Sequence, residues 1–181
     1  MLGRPGLPAA VAAVVLDAGE RRLAWGLAAS GAAVVATDLG LWMPGAARID
    51  WPDVERISWN RPLLTVLAIA PVEGAGDRRQ VELVDGTDLP EVARSQVTAS
   101  IGWSSHYRLP PAGRAPAGAA SPGAASPREG PAGGVRIVGR RRPGQELLDW
   151  QVVYDRNTDP PDAQQRAQAE ALLLDVRRTI G

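Results

Sequence analysis

Residues 22–37 read RLAWGLAASGAAVVAT. Leu23, Trp25 and Leu27 alternate with Arg22, Ala24 and Gly26, the pair Ser30-Gly31 interrupts the pattern, and Ala33–Thr37 returns as a run rich in valine. A period of two on either side of a short glycine-containing turn predicts a β-hairpin. The same grammar continues outward. Leu41-Trp42-Met43, Arg48–Trp51, Glu55–Trp59, Leu63–Ala70 and Arg79–Val84 are short extended runs, separated by Pro44-Gly45, Pro52-Asp53, Asn60-Arg61-Pro62 and the polar turn Glu73–Asp77. Six or seven strands within about 65 residues are spaced as in a small barrel or sandwich. Leu63–Ala70 is apolar enough to expect burial on both faces.

Helical periodicity flanks this block. Leu7, Val11, Val14, Val15 and Ala18 share one face of a predicted N-terminal helix, with Pro8 in its first turn. The run Leu7 to Leu16 is too short to span a bilayer. With Arg4 alone before it and no small-x-small cleavage site after it, a short helix and a cytoplasmic location are expected rather than a secretory leader. After the strands, Asp88 and Glu91 have capping-box spacing, Pro90 suits a first turn, and Leu89, Ala93, Val97 and Ile101 recur every four residues. Trp103–Leu109, Val135–Arg141 and Leu147–Asp155 are three further strands, the last two turned at Pro143-Gly144. A closing helix is expected from about Pro160, capped by Thr158 or Asp159, with Ala169, Leu172, Leu173, Val176 and Ile180 as its apolar stripe. Residues 110–134 are almost entirely Pro, Ala, Gly and Ser, a composition with too little apolar surface to repay ordering, and are expected to form a disordered insert.

Composition removes many chemistries. The 181 residues contain no cysteine, one histidine and no lysine, since all twenty basic residues are arginine. Disulfides, thiolate nucleophiles, cysteine-ligated metals, multi-histidine sites, Walker-type phosphate loops and Schiff bases are therefore absent. Twenty acids balance the arginines, so no overall field draws the chain to nucleic acid. Gly74-Ala75-Gly76 is followed by Arg79 where a dinucleotide fingerprint needs its third glycine. No cofactor is expected.

Three segments combine into a resemblance: Gly19-Glu20-Arg21-Arg22-Leu23-Ala24-Trp25, Val35-Ala36-Thr37-Asp38-Leu39-Gly40-Leu41, and Arg48-Ile49-Asp50-Trp51-Pro52-Asp53-Val54-Glu55-Arg56-Ile57-Ser58-Trp59. Their order and spacing resemble bacterial pleckstrin-homology-like domains, and the whole chain looks like a family of small uncharacterised actinobacterial proteins. Over residues 19 to about 84 the resemblance implies a strongly bent antiparallel barrel closed by a helix, in a family that generally binds lipids, peptides or proteins rather than catalysing. No basic loop of the eukaryotic phosphoinositide-binding kind is present, so lipid binding does not carry over. The expected organisation is an N-terminal helix over 1–18, a PH-like barrel with its following helix over 19–102, and a strand extension with a C-terminal helix over 103–181. Together they make one compact, strand-rich α+β domain.

The remaining signals are local. Trp103, Tyr107, Trp150 and Tyr154 fall on single strand faces, as Trp25, Trp51 and Trp59 do, and read as core. Trp42 points opposite to Leu41 and Met43 and is expected to be exposed, as an interface anchor would be. Residues 103–143 hold seven arginines against one acid, Glu129. His106 and Arg108 share one strand face, and Arg136 and Arg140 share another. If these strands pair, the four form a basic patch opposite the aromatic face, unless Asp149 or Asp155 neutralises them. Ser104 shares the face of His106, but no nucleophile elbow or oxyanion hole accompanies them. The expected function is a non-catalytic interaction module that binds a protein or peptide through Arg108, Arg136, Arg140, His106 and Trp42. Anionic-lipid binding is the alternative, and a hydrolase using His106 the remote one.

Arg114 and Arg128 lie inside the expected insert. Brief trypsin treatment should cut there first and leave two fragments that stay associated, because the flanking strands are expected in one sheet. Early cleavage at Arg22 or Arg56 with the insert intact would contradict this organisation.

Overall fold

The computed structural model describes residues 6–69, 77–84, 88–110, 133–155, 158 and 161–180. Of the insert expected over 110–134, residues 111–132 lie outside the described residues, as does the Gly74-Ala75-Gly76 turn. The fold is α+β and strand-rich, and it divides into two compact units at the Ser100–Ile101 junction.

The first unit opens with α1 (Ala9–Ala12), then β1 (Arg22–Leu27), β2 (Ala33–Thr37), β3 (Gly40–Trp42) and β4 (Ile49–Asp50), which pair in that order as one antiparallel sheet. A 3-10 turn over Trp51–Asp53 leads to β5 (Val54–Asn60), β6 (Leu63–Ala68) and β7 (Arg78–Glu82), a second antiparallel sheet. Helix α2 (Leu89–Ser100) follows. An isolated bridge, Ala28 opposite Leu83, joins the two sheets, with Ala29 N–H donating to Glu82 O (2.8 Å) and Val84 N–H to Leu27 O (2.9 Å). Among the described residues the strands do not close into a continuous barrel.

Val34, Ala36, Leu41, Trp51, Val54, Leu64 and Val66 make the core of this unit, and α2 covers it with Leu89, Ala93 and Val97 at the expected spacing of four. The hairpin faces this core differently from its sequence reading. Ala24 and Gly26 point into the core, whereas Trp25 and Leu27 pack in a second cluster with Val11, Ala33 and Val35, and Leu23 is exposed. Close packing explains the inversion: a Cβ on Gly26 would lie 3.2 Å from the Leu89 side chain and 3.5 Å from that of Leu83. Small residues therefore pack tightly beneath α2, and the larger ones occupy the opposite face beneath α1.

Helix α1 is itself one turn rather than the longer element expected. Pro8 precedes it, Val11 is fully buried, and Val15 is almost fully exposed. In β6 the two-faced burial expected of Leu63–Ala70 becomes alternation: Leu64 and Val66 are buried, Leu63 is exposed, and Thr65 accepts a hydrogen bond from Gln80 on the outer face.

The second unit is a three-stranded antiparallel sheet of β8 (Ile101–Arg108), β9 (Gly134–Arg140) and β10 (Asp149–Tyr154), with β9 central, followed by α3 (Ala163–Ile180). Cross-strand rows place Tyr107, Val135 and Tyr154 together and Trp103, Gly139 and Trp150 together, with the two indoles edge-to-face at 5.4 Å. This aromatic face packs against Ala169 and Leu172 of α3. The cap is Asp162, not Thr158 or Asp159: Gln165 N–H donates to Asp162 Oδ1 (2.7 Å) and Asp162 N–H to Gln165 Oε1 (3.0 Å), a reciprocal capping box. The buried positions of α3 are Gln165, Ala169 and Val176, with Leu172 and Leu173 half-buried and Ile180 exposed. Buried Gln165 is satisfied by donating to Pro110 O (3.0 Å). No described helix is long and apolar enough to cross a membrane.

Leu63 and Leu64 are chemically identical neighbours on opposite faces of β6. Leu64→Ala should cost about 2–5 kcal/mol of unfolding free energy in denaturant titration, and Leu63→Ala should stay within about 1 kcal/mol. Equal losses would contradict the face assignment.

Candidate functional site

Alternation along β8 sends Trp103, Ser105 and Tyr107 toward α3 and Ser104, His106 and Arg108 to the other face. The antiparallel register sets His106 directly opposite Arg136. The expected juxtaposition of His106, Arg108 and Arg136 opposite the aromatic face is therefore present. All three are exposed.

One backbone detail organises this face. His106 Nε2 lies 2.9 Å from Asp155 Oδ2, although the residues sit on opposite flanks of β9. Gly134 lies between them, and a Cβ there would come within 2.5 Å of His106 Nε2 and 2.6 Å of Asp155 Oδ2. The glycine is the gap through which the pair meets. Asp155 N–H donates to Gly134 O (2.9 Å), which holds the carboxylate at that place.

Asp155 therefore engages the histidine and not an arginine. Asp149, the other acid expected near the patch, accepts from Arg142 Nε and Nη2 at 2.9 and 2.8 Å. Arg108 and Arg136 have no ion-pair partner among the described residues.

Two candidate residues are placed differently from their sequence reading. Arg140 is buried, with 3 % of its surface exposed, and does not belong to a solvent-facing patch. It ends the central strand with Ile101 opposite on one side and Asp149 on the other. It is a structural cation.

Trp42 does point away from Leu41, but it is half-buried against the cluster around Val11 rather than free in solvent. Its Nε1–H donates to Glu20 Oε1 (3.0 Å), and the Arg48 guanidinium lies 6.0 Å from its ring. Glu20 also accepts from Thr37 Oγ1–H and from Asp17 N–H (2.9 Å), and pairs with Arg48 Nη1 (3.2 Å). Burial pushes the Glu20 carboxyl upward, but the hydrogen bonds from Thr37, Asp17 and Trp42 and the charge of Arg48 outweigh it and hold it below the ordinary glutamate value. The indole is thus held in place by the fold and keeps part of its surface exposed.

Chemically, the β8–β9 face offers two unneutralised guanidinium groups and an imidazole oriented by a carboxylate. Ser104 and His106 share a face but make no hydrogen bond to each other. Among the described residues no three His, Asp or Glu side chains converge as a metal ion requires. Sequence reasoning missed Gly134 as the enabling residue; its only signal was the Gly133-Gly134 pair at the start of a strand. Comparison with protein-family models, with curated proteins and with solved structures gave no match to any of them.

Because the Glu20 pKa is lowered by folding, its carboxylate contributes stability above the unfolded glutamate pKa of about 4.3, and this is lost as pH falls through the lower folded value. Glu20→Gln should lower stability at pH 7 by about 1–3 kcal/mol and flatten the decline between pH 5 and 2. Melting midpoints of both proteins across that range are the measurement. Parallel curves would remove Glu20 from the acid response.

Proposed function

We propose that this protein is a non-catalytic interaction module that binds an acidic protein or peptide partner through the polar face of the β8–β9–β10 sheet. The carrying observation is that Arg108 and Arg136 stand exposed on the sheet with no carboxylate among the described residues to neutralise them, while Asp155 and Asp149 are engaged elsewhere. Exposed guanidinium groups favour carboxylate or phosphate recognition, because their planar fork of N–H donors matches both anions bidentately. His106, oriented by Asp155 beside Arg136, adds a third polar contact.

We further read the first unit as pleckstrin-homology-like. The supporting features are two antiparallel sheets of four and three strands, one bridging corner, and a helix on β5 and β1. The residues behind the resemblance also support it, since Glu20 and Thr37 meet in one polar cluster and Arg21 pairs with Asp38 at 3.1 Å. A non-catalytic role is supported by the geometry of His106: its imidazole is exposed and Ser104 lies outside its hydrogen bonding, so among the described residues no activated nucleophile accompanies it.

Anionic lipid is the second reading, favoured by the same unneutralised arginines. An Arg108→Glu/Arg136→Glu variant separates the readings. Charge reversal at exposed positions should leave the melting midpoint within a few degrees. Capture of the variant's partners from host extract should fall roughly tenfold or more at low salt. Loss confined to flotation with phosphatidylglycerol vesicles assigns the face to lipid. Unchanged retention of every wild-type partner and of vesicles by a folded variant refutes both.

A further inference from the structure

The corner where the two sheets of the first unit meet leaves part of a strand unpaired. Leu83 N–H donates to Pro62 O and Asp77 O accepts from Ala68 N–H, so the odd-numbered residues of β7 turn their backbone groups toward β6. The even-numbered residues turn theirs away, as Glu82 O shows by accepting from Ala29 N–H. Past Ala29 the chain turns back through Ser30-Gly31 into β2, and the short contact between β1 and β7 ends. Among the described residues nothing pairs with the outward N–H and C=O groups of Gln80 and Arg78.

The free edge borders a cleft of about 520 Å³, lined by Ala28, Ala29 and Ser30 of the hairpin, Met43 and Pro44 after β3, and Arg79 to Glu82 of β7. Its walls are small or apolar apart from Ser30 and β7 itself. Arg79 Nε donates to Asp77 Oδ2 at 2.7 Å, whereas Arg79 Nη1 is buried without a hydrogen-bond partner among the described residues. A buried cationic N–H in that state is costly, and an acidic group in the cleft would satisfy it.

We propose that this cleft takes an extended acidic peptide segment as an added strand on β7, with its backbone on Arg78 and Gln80 and a carboxylate on Arg79. Added strands take affinity from main-chain hydrogen bonds and selectivity from alternate side chains. Here the positions on the core side meet Arg79 and the Met43-Pro44 wall, and the alternate ones meet Gln80 on the outer face. The site lies in the first unit and does not depend on the basic face of the second, so each can fail alone.

The probe is a blocked hexapeptide, valine-threonine-valine-aspartate-valine-threonine, and its counterpart with lysine for aspartate, titrated into the full chain while backbone amide shifts are followed. The aspartate peptide should shift the amides of Arg78, Gln80 and Ala29 and bind at least roughly tenfold more tightly than the lysine peptide. Gln80→Pro removes an N–H that the β6 ladder does not use, so the variant should keep its melting midpoint and lose the titration. Arg79→Met should retain weak binding and lose the preference for aspartate, and it decides the matter if Gln80→Pro does not fold. No shift at millimolar peptide, a folded Gln80→Pro that binds as wild type does, or equal affinity for the two peptides in wild type overturns the proposal.

Discussion

A single buried carboxylate ties the beginning of the first unit together. Glu20 lies just before β1, yet its oxygens reach Thr37 at the end of β2, Trp42 at the end of β3 and Arg48 just before β4. Thr37 passes the constraint on: its hydroxyl accepts from Gly40 N–H (3.1 Å), and its carbonyl accepts from Trp51 Nε1–H (2.9 Å). Four strands and the 3-10 turn are thus referenced to one charged group. A carboxylate withdrawn from water is tolerated only when donors and a counter-charge surround it, so each of these partners is required by the others. The contact of α1 with the sheet depends on the same cluster, because Trp42 forms part of the surface on which Val11 is buried.

The second unit rests on a different constraint, the absence of one side chain. At Gly134 the central strand carries no Cβ, and His106 and Asp155 close over it from the two flanking segments. This pairing has an electrostatic consequence. It occupies the acid best placed to neutralise Arg136, and Arg142 occupies Asp149. Among the described residues two arginines on one face are therefore left without an acidic partner, which net charge alone does not reveal.

The two proposed sites also differ in physical character. The exposed part of the β8–β9 face, at His106, Arg108 and Arg136, is charged, suited to a partner whose own charges survive partial hydration, so its binding should depend strongly on salt. The β7 edge is directional and narrow, suited to a chain that arrives already extended. The edge arises where strand pairing stops, whereas the basic face lies within the β8–β9–β10 ladder. At the corner between the sheets, the Ser30-Gly31 turn carries the chain away from β7, and in the second unit Gly134 begins the central strand with no side chain of its own.

The order and limits of nearly every described strand and helix were legible in the sequence. Alternation, turn dipeptides and four-residue spacing are properties of neighbouring residues, and the backbone expresses them wherever the segment lies. The facing of His106 toward Arg136 followed from the same alternation once β8 and β9 paired. Burial did not follow, because it depends on what covers a face. Arg140 and Arg136 share one face of β9, yet only one of them is exposed, and Trp42 lost part of its exposure to a one-turn helix and a carboxylate 22 positions away. The orientation of β1 was decided by the side chains of Leu83 and Leu89 pressing on Gly26, and the partner of His106 by a residue 49 positions further on. Local periodicity thus determined which residues share a face, and only the tertiary structure decided which faces meet water, since that is set by contacts between segments distant in the chain.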